Sequence, residues 1–366
     1  MQRRTSVIPL LALGAISALV LSGCGSAPTT SEPSGAATSD FVPCAVSDLT
    51  GFDDKDFNEL TYNGVKEAAD SLGVEVKATE SASEDQYSGN IGALIDEGCD
   101  LIVTVGFALA SATRDAAQVD TDVNFALIDS RVSNDDFSPL ELDNVKPVLF
   151  DTAQASVLAG YLAAGATKTG VVGTYGGMPF PSVTVFMDGF ADGIAEYNTV
   201  HSASVKLIGW DKEAQDGLFV GSFDDQNQAK ILTEGLIDQN VDIVMPVAGT
   251  LFKSSIEAFK DRSIDGAIIG VNSDAFVSAP EYKEYYLTSV LKNLTTAANE
   301  VTLAAADGKF SNAPYIGTLE NDGVGIAPTH DWESKLDAAL LDEVEKLKAD
   351  IISGAFVVDS PSSPKS

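Results

Sequence analysis

Cys44-Ala45-Val46-Ser47-Asp48-Leu49-Thr50-Gly51-Phe52-Asp53-Asp54-Lys55-Asp56-Phe57-Asn58-Glu59 is the stretch on which the fold turns. Phe41 to Val46 is a short apolar run and reads as a buried strand. A polar, glycine-containing turn follows. Phe57, Leu60, Val65, Ala68 and Ala69 then recur at helical spacing among charged neighbours. A loop between strand and helix, at the carboxyl end of the strand, is where ligands bind in open α/β sheets. This loop offers a carboxylate (Asp48), an aromatic face (Phe57) and an amide (Asn58), a set suited to a small polar ring compound.

The same rhythm continues outward. Val74–Ala78 alternates as a strand, Gln86–Glu97 is helical, and Leu101–Val105 is a buried strand ending at Gly106-Phe107. Ala108–Val119 is a small-residue helix, and Asn124–Ile128 is a strand ending at Asp129. Asn144–Asp151 is a further strand and a first crossing to a second lobe. There the alternation resumes through Thr169–Thr174, Val205–Trp210, Val241–Val247, Ala267–Val271 and Leu287–Leu291, with helices between them. Trp332–Ser353 reads as one terminal helix and Asp359–Ser366 as a frayed end. Strand–helix alternation predicts parallel, doubly wound sheets. The expected architecture is α/β, two such lobes joined by multiple crossings into a hinged clam. The expected bounds are 41-149 plus 288-308 for lobe 1 and 150-287 plus 309-358 for lobe 2.

Arg3 and Arg4, the apolar run Val7–Val20 and Leu21-Ser22-Gly23-Cys24 predict a signal peptide over residues 1-23. The apolar run is shorter than a ~20-residue membrane span. Residues 24-40, rich in Ser, Thr, Pro, Ala and Gly, read as a flexible tether. An extracytoplasmic address permits a disulfide between Cys44 and Cys99. If their strands are parallel neighbours, both cysteines share the end of the sheet away from the ligand. Two buried free thiols are the alternative.

The 22 basic and 54 acidic residues give a formal charge of −32. That argues against nucleic acid, whose phosphates need clustered Lys and Arg. It also argues against docking on an anionic membrane by charge. No metal-ligand cluster, phosphate loop, dinucleotide fingerprint or nucleophile elbow occurs, so neither metal nor cofactor is expected, and nothing calls for bond chemistry. Asp53-Asp54 beside Lys55 reads as a solvated turn with helix N-terminal charge. The polar groups at strand ends are more telling. Asp48, Asp129, Asn272 and Asp274 each follow a buried apolar run, and Lys292 follows Val290-Leu291. A helix cap is the plain reading of each acid, while several at one topological position suggest ligand contacts.

Further motifs accompany the opening loop: Val105-Gly106-Phe107, Phe125 to Asp129, and Gly176-Gly177 with Pro181, Val183, Phe186, Gly189-Phe190 and Gly193. Ala248-Gly249-Thr250, Gly270 to Asp274 and Leu287 to Asn293 complete them. Together they cover nearly all of residues 42–330, and they resemble the basic membrane protein family. These are lipid-anchored substrate-binding proteins of ABC transporters, of purine-nucleoside-binding type. The resemblance implies a type I periplasmic binding protein-like fold and no enzyme. The lipobox ending in Cys24 implies an acylated (palmitate-bearing) anchor on the extracytoplasmic face. Implied partners are a nucleoside-like small molecule and ABC permease and ATPase subunits, with the protein itself a monomer. Asp48 and Asp129 would hydrogen-bond the base and Phe57 would stack on it. The Gly270 backbone, an acid at the Asn272 position and Lys292 would hold the ribose hydroxyls. Here the acid is an asparagine. The second stacking face falls to Met245 or Phe252, and Asn58, Phe107, Gly249 and Asp274 complete the expected set. A sugar or signal molecule bound by a sensor is the alternative function.

Overall fold

The computed structural model describes residues 40–136 and 138–365. The expected signal peptide, Cys24 and the expected tether up to residue 39 lie outside them. The chain starts in one lobe with β1 (Pro43–Val46), α1 (Phe57–Leu72), β2 (Lys77–Thr79), α2 (Tyr87–Asp96), β3 (Leu101–Val105), α3 (Ala110–Val119), β4 (Asn124–Ile128) and β5 (Val145–Phe150). The second lobe runs from α4 (Thr152–Ala166) through β6 (Val171–Gly176), α5 (Pro181–His201), β7 (Lys206–Ile208) and a small hairpin of β8 (Trp210–Asp211) and β9 (Asp216–Gly217). It continues with α6 (Gln226–Ile237), β10 (Ile243–Val247), α7 (Phe252–Arg262), β11 (Ala267–Asn272), α8 (Ala275–Ser278) and β12 (Tyr286–Lys292). Helix α9 (Leu294–Ala306) then returns to pack on α1, and β13 (Tyr315–Gly317) joins the first sheet. β14 (Val324–Ile326) joins the second, and α10 (Ala338–Ile352) packs on α4.

Each sheet has six strands, ordered β13-β5-β4-β3-β1-β2 and β14-β12-β11-β10-β6-β7. All their pairings are parallel except β12 with β14. The alternation read from the sequence thus becomes two doubly wound lobes. Helices cover both faces of a parallel sheet, so its central strands are continuous apolar runs, and every residue of β3 and β10 is buried. In the second lobe α4 and α5 pack backbone to backbone. A Cβ built on Gly193 would lie 2.0 Å from the Val157 carbonyl oxygen, so glycine is required by close approach.

The chain crosses between lobes at Asp151, at Asn293 and between β13 and β14. This corrects the expected lobe bounds. Residues 286–292 form a strand of the second sheet, paired with β11 and β14, and only α9 from the 288-308 segment belongs to the first lobe. Residues 315–317 belong to the first sheet, though 309-358 was expected in the second lobe. A strand buried on both faces carries no mark of which sheet it completes. The terminal helix is also interrupted. A 3-10 turn over His330–Lys335 ends before Asp337, whose carboxylate caps α10 by accepting from the Ala339 N–H at 3.0 Å. The tail is tied down rather than frayed. Ser360 Oγ donates to the buried Asp188 at 2.6 Å, and Ser363 Oγ donates to Asp151, at the first crossing, at 2.7 Å.

Cys44 and Cys99 form a disulfide with Cα atoms 6.0 Å apart. Cys44 lies on β1, Cys99 just before the adjacent parallel β3, so the bridge pins the end of the sheet away from Asp48 and Phe107. No helix among the described residues is long and apolar enough to cross a membrane.

Candidate ligand-binding cleft

The carboxyl ends of both sheets face a cavity of about 640 Å³ between the lobes. From the expected set, Asp48, Phe57, Phe107, Asp129, Gly249, Asn272 and Lys292 line it.

The β1 end is a self-closed loop. Asp48 Oδ1 accepts from the Thr50 N–H (2.9 Å), the Thr50 hydroxyl (2.7 Å) and Asn58 Nδ2 (2.9 Å). Burial nonetheless pushes the Asp48 carboxyl above its ordinary range, against those three hydrogen bonds. Asn58 is fully buried and also accepts from the Asp48 N–H at 3.1 Å. It braces the loop and does not line the cavity. Asp54 caps α1, accepting from the N–H groups of Asn58 (2.9 Å) and Glu59 (3.0 Å). The pair of acids is therefore the helix-end charge that the sequence suggested, and it leaves Phe57 free to face the cleft. Gly106 stands against that ring, with a built Cβ only 3.3 Å from Phe57 Cε1 and a φ of +99° that favours glycine.

At the end of β4, Asp129 adopts a φ of 60° and reaches Lys292 of the second lobe. Both are buried. Desolvation pushes the Asp129 carboxyl up and the lysine charge opposes it. The Lys292 ammonium also lies 4.8 Å from the Phe186 ring centroid and 5.8 Å from that of Phe57. At the end of β11, Asn272 adopts the matching φ of 63°. Its Nδ2 donates to Asp56 of the first lobe at 2.8 Å, and Ser273 Oγ donates to the other Asp56 oxygen at 2.9 Å. Burial, first of all, pushes the Asp56 carboxyl up to about 7. Phe107 and Phe180 stack across the cleft with ring centroids 4.5 Å apart, and Phe223 lies 6.2 Å beyond.

Four expected residues beside Asn58 stand away from the cavity. Met245 is fully buried within the second sheet, its carbonyl accepting from Thr174 Oγ1 at 2.7 Å. Phe252 packs edge-on against Tyr286 in the second-lobe core. Gly270 faces strand β12, where a built Cβ would meet Ser289 Oγ at 2.4 Å. Asp274 caps α8 through the Phe276 N–H (3.1 Å) and pairs with His330 (2.8 Å), so here the cap reading holds. The residues that sequence reasoning missed are Asp56, Phe180, Phe186 and Phe223. Phe180 had a signal, because it sits in Pro179-Phe180-Pro181 directly after the β6 turn. Asp56 had none beyond its place in the opening loop.

Residues 41–360 match the sequence profile of the Bmp family, described as ABC transporter substrate-binding protein PnrA-like. The ABC transporter nucleoside-binding protein BmpA of Lactococcus lactis subsp. cremoris is 27% identical over 98% of this chain and 100% of its own length. Basic membrane protein A of Borreliella burgdorferi is 29% identical over 84% of this chain and 85% of its own. The crystal structure of an ABC transporter solute-binding protein from Aeropyrum pernix superposes with a TM-score of 0.75 at 24% identity, covering 87% of this chain and 94% of that one. The fold, the cleft and the match over residues 41–360 lead to one conclusion: this chain belongs to the Bmp family of ABC transporter substrate-binding proteins.

Proposed function

We propose that this protein is the lipid-anchored, extracytoplasmic receptor of an ABC importer, and that it binds a nucleoside, a purine nucleoside above all, between its lobes. The observation that carries the reading is one cavity combining aromatic faces from both lobes (Phe57, Phe180, Phe186) with buried carboxylates and a buried lysine. Aromatic faces hold a flat ring with little regard to its identity, and desolvated polar groups discriminate among ring edges and hydroxyls. A volume of about 640 Å³ suits a small molecule. The lobes close on ligand about the three crossings, and binding shifts the open–closed equilibrium. The protein acts as a monomer, hands its ligand to permease and ATPase subunits, and is held to the membrane by lipid on Cys24.

Thermal unfolding against nucleosides, free bases and sugars tests the ligand class. A specific ligand at 100 times its Kd adds ~2.7 kcal/mol of stability. Nucleosides should give that shift, and Phe57→Ala should weaken binding by ~1–3 kcal/mol, the worth of one base–aromatic stack. A shift with sugars alone would sink the nucleoside reading. Cys24→Ser should move the protein out of the membrane fraction.

A further inference from the structure

Asp56 occupies the N-cap position of α1, where an aspartate ordinarily accepts from the helix's own first N–H groups. Its side chain makes no such bond. Asp54 caps the helix instead, and the Asp56 carboxylate turns across the cleft to Asn272 and Ser273 of the opposite lobe. It is buried and lines the cavity beside Lys292. A buried carboxylate in a loop that has another acid available for capping needs a different account. Each Asp56 oxygen accepts one hydrogen bond from the second lobe, and a carboxylate oxygen has room for about two. Acceptor capacity therefore remains on the cavity side. Lys292 gives one of its three donors to Asp129. Acceptors on one wall and spare ammonium donors on the other complement adjacent hydroxyl groups, each of which donates and accepts.

We propose that Asp56 is a specificity-determining residue: its carboxylate reads a vicinal diol on the sugar of the ligand while its bonds to Asn272 and Ser273 draw the lobes together. Closure and diol recognition are then a single event. A ligand without the diol leaves a buried carboxylate short of donors just as the lobes meet. This inference rests on the nucleoside reading above. Lys292 also acts on the Asp56 carboxyl by charge, in keeping with the two sharing one end of the cavity.

Calorimetric titration with adenosine, inosine and their 2′-deoxy and 3′-deoxy analogues tests it, using the parent, Asp56→Asn, and the exchange Asp56→Asn with Asn272→Asp. The parent should favour the ribonucleosides by about 100-fold or more, as sites built around a hydroxyl do. Asp56→Asn, nearly isosteric, should bring that ratio below about tenfold. The exchange, which moves the carboxylate to the other side of the same hydrogen bond, should recover most of it. An unchanged ratio in Asp56→Asn overturns the proposal. So does equal weakening toward ribonucleosides and deoxynucleosides, which is what a latch alone would give. A parent that binds nucleosides without regard to the diol overturns this inference only. A parent that binds no nucleoside overturns the nucleoside reading and this inference with it.

Discussion

The first-lobe strand β4 and the second-lobe strand β11 end alike and do opposite things. Asp129 and Asn272 each follow a buried parallel strand, each turns into the left-handed region (φ 60° and 63°), and each reaches across the cleft. Asp129 brings an anion and meets a cation. Asn272 is neutral and meets the anion Asp56. All the carboxylates that line the cleft except Asp224 come from the first lobe (Asp48, Asp54, Asp56 and Asp129 among them), and the second lobe supplies Lys253, Lys292, neutral donors and half of the aromatics. Two sheets built by one rule therefore present unlike chemistry. A left-handed non-glycine residue costs on the order of 1–3 kcal/mol and persists where its surroundings hold it, commonly at functional sites. Its occurrence at both strand ends gives the polar end of the cleft the same backbone turn in each lobe.

The severest test of this asymmetry is to remove its buried cation. Lys292→Ala leaves Asp129 buried without a partner, which costs about 3–5 kcal/mol, and it strips the lysine stem from Phe186 and Phe57. Urea unfolding should show that full loss. Lys292→Ala with Asp129→Asn should recover much of it. The covalent asymmetry comes next. Only the first lobe carries a disulfide among the described residues, and it closes a loop with a sequence separation of 55. Loop entropy assigns such a bridge ~4 kcal/mol. Calorimetry under reductant should split unfolding, with the first lobe melting earlier. A single transition shifted as a whole would mean the lobes do not differ in this way.

A pH-dependent effect distinguishes the two carboxylates that cross the cleft. Asp56 has its ordinary value of 3.8 raised to about 7, chiefly by burial and also by Asp54, against Asn272, Ser273 and Lys292. A raised carboxyl gives stability that is fully present below pH 4 and is lost as pH rises toward 7, with a slope of up to ~1.4 kcal/mol per pH unit. Asp56→Asn lacks this term. Its ligand-free melting temperature relative to the parent should climb between pH 4 and 7; a constant difference would refute the assignment. The smallest effect compares two substitutions. Asn272→Gly and Asn272→Ala both remove the amide, and the alanine variant alone must hold a Cβ at φ 63°. It should be ~1 kcal/mol less stable than the glycine variant.

What the sequence made legible was whatever a strand end reveals. Asp48, Asp129, Asn272 and Lys292 follow apolar runs, so topology alone brings them to one edge. Asp274 follows the same rule, yet the short helix after it takes its carboxylate as a cap. Met245 lies inside a strand covered on both faces, where no alternation separates cleft-facing from core-facing positions. Asp56 was illegible for a different reason. Its role depends on which loop of the other lobe stands opposite, and residues 216 apart in sequence (Asp56 and Asn272) carry no mark of their meeting. β13 has only three residues, too few for a period to register.

The three crossings also set a timetable. Helix α9, which covers α1, and β13, which completes the first sheet, come from the last quarter of the chain. The first lobe therefore cannot finish folding until the second has been almost wholly synthesised. Contacts such as that of Thr295 Oγ1 with the Leu60 carbonyl span 235 residues. Long-range pairing of this kind slows folding. Were the chain threaded through a membrane before folding, as the proposed extracytoplasmic address implies, late completion would keep its leading half threadable until the trailing half arrives.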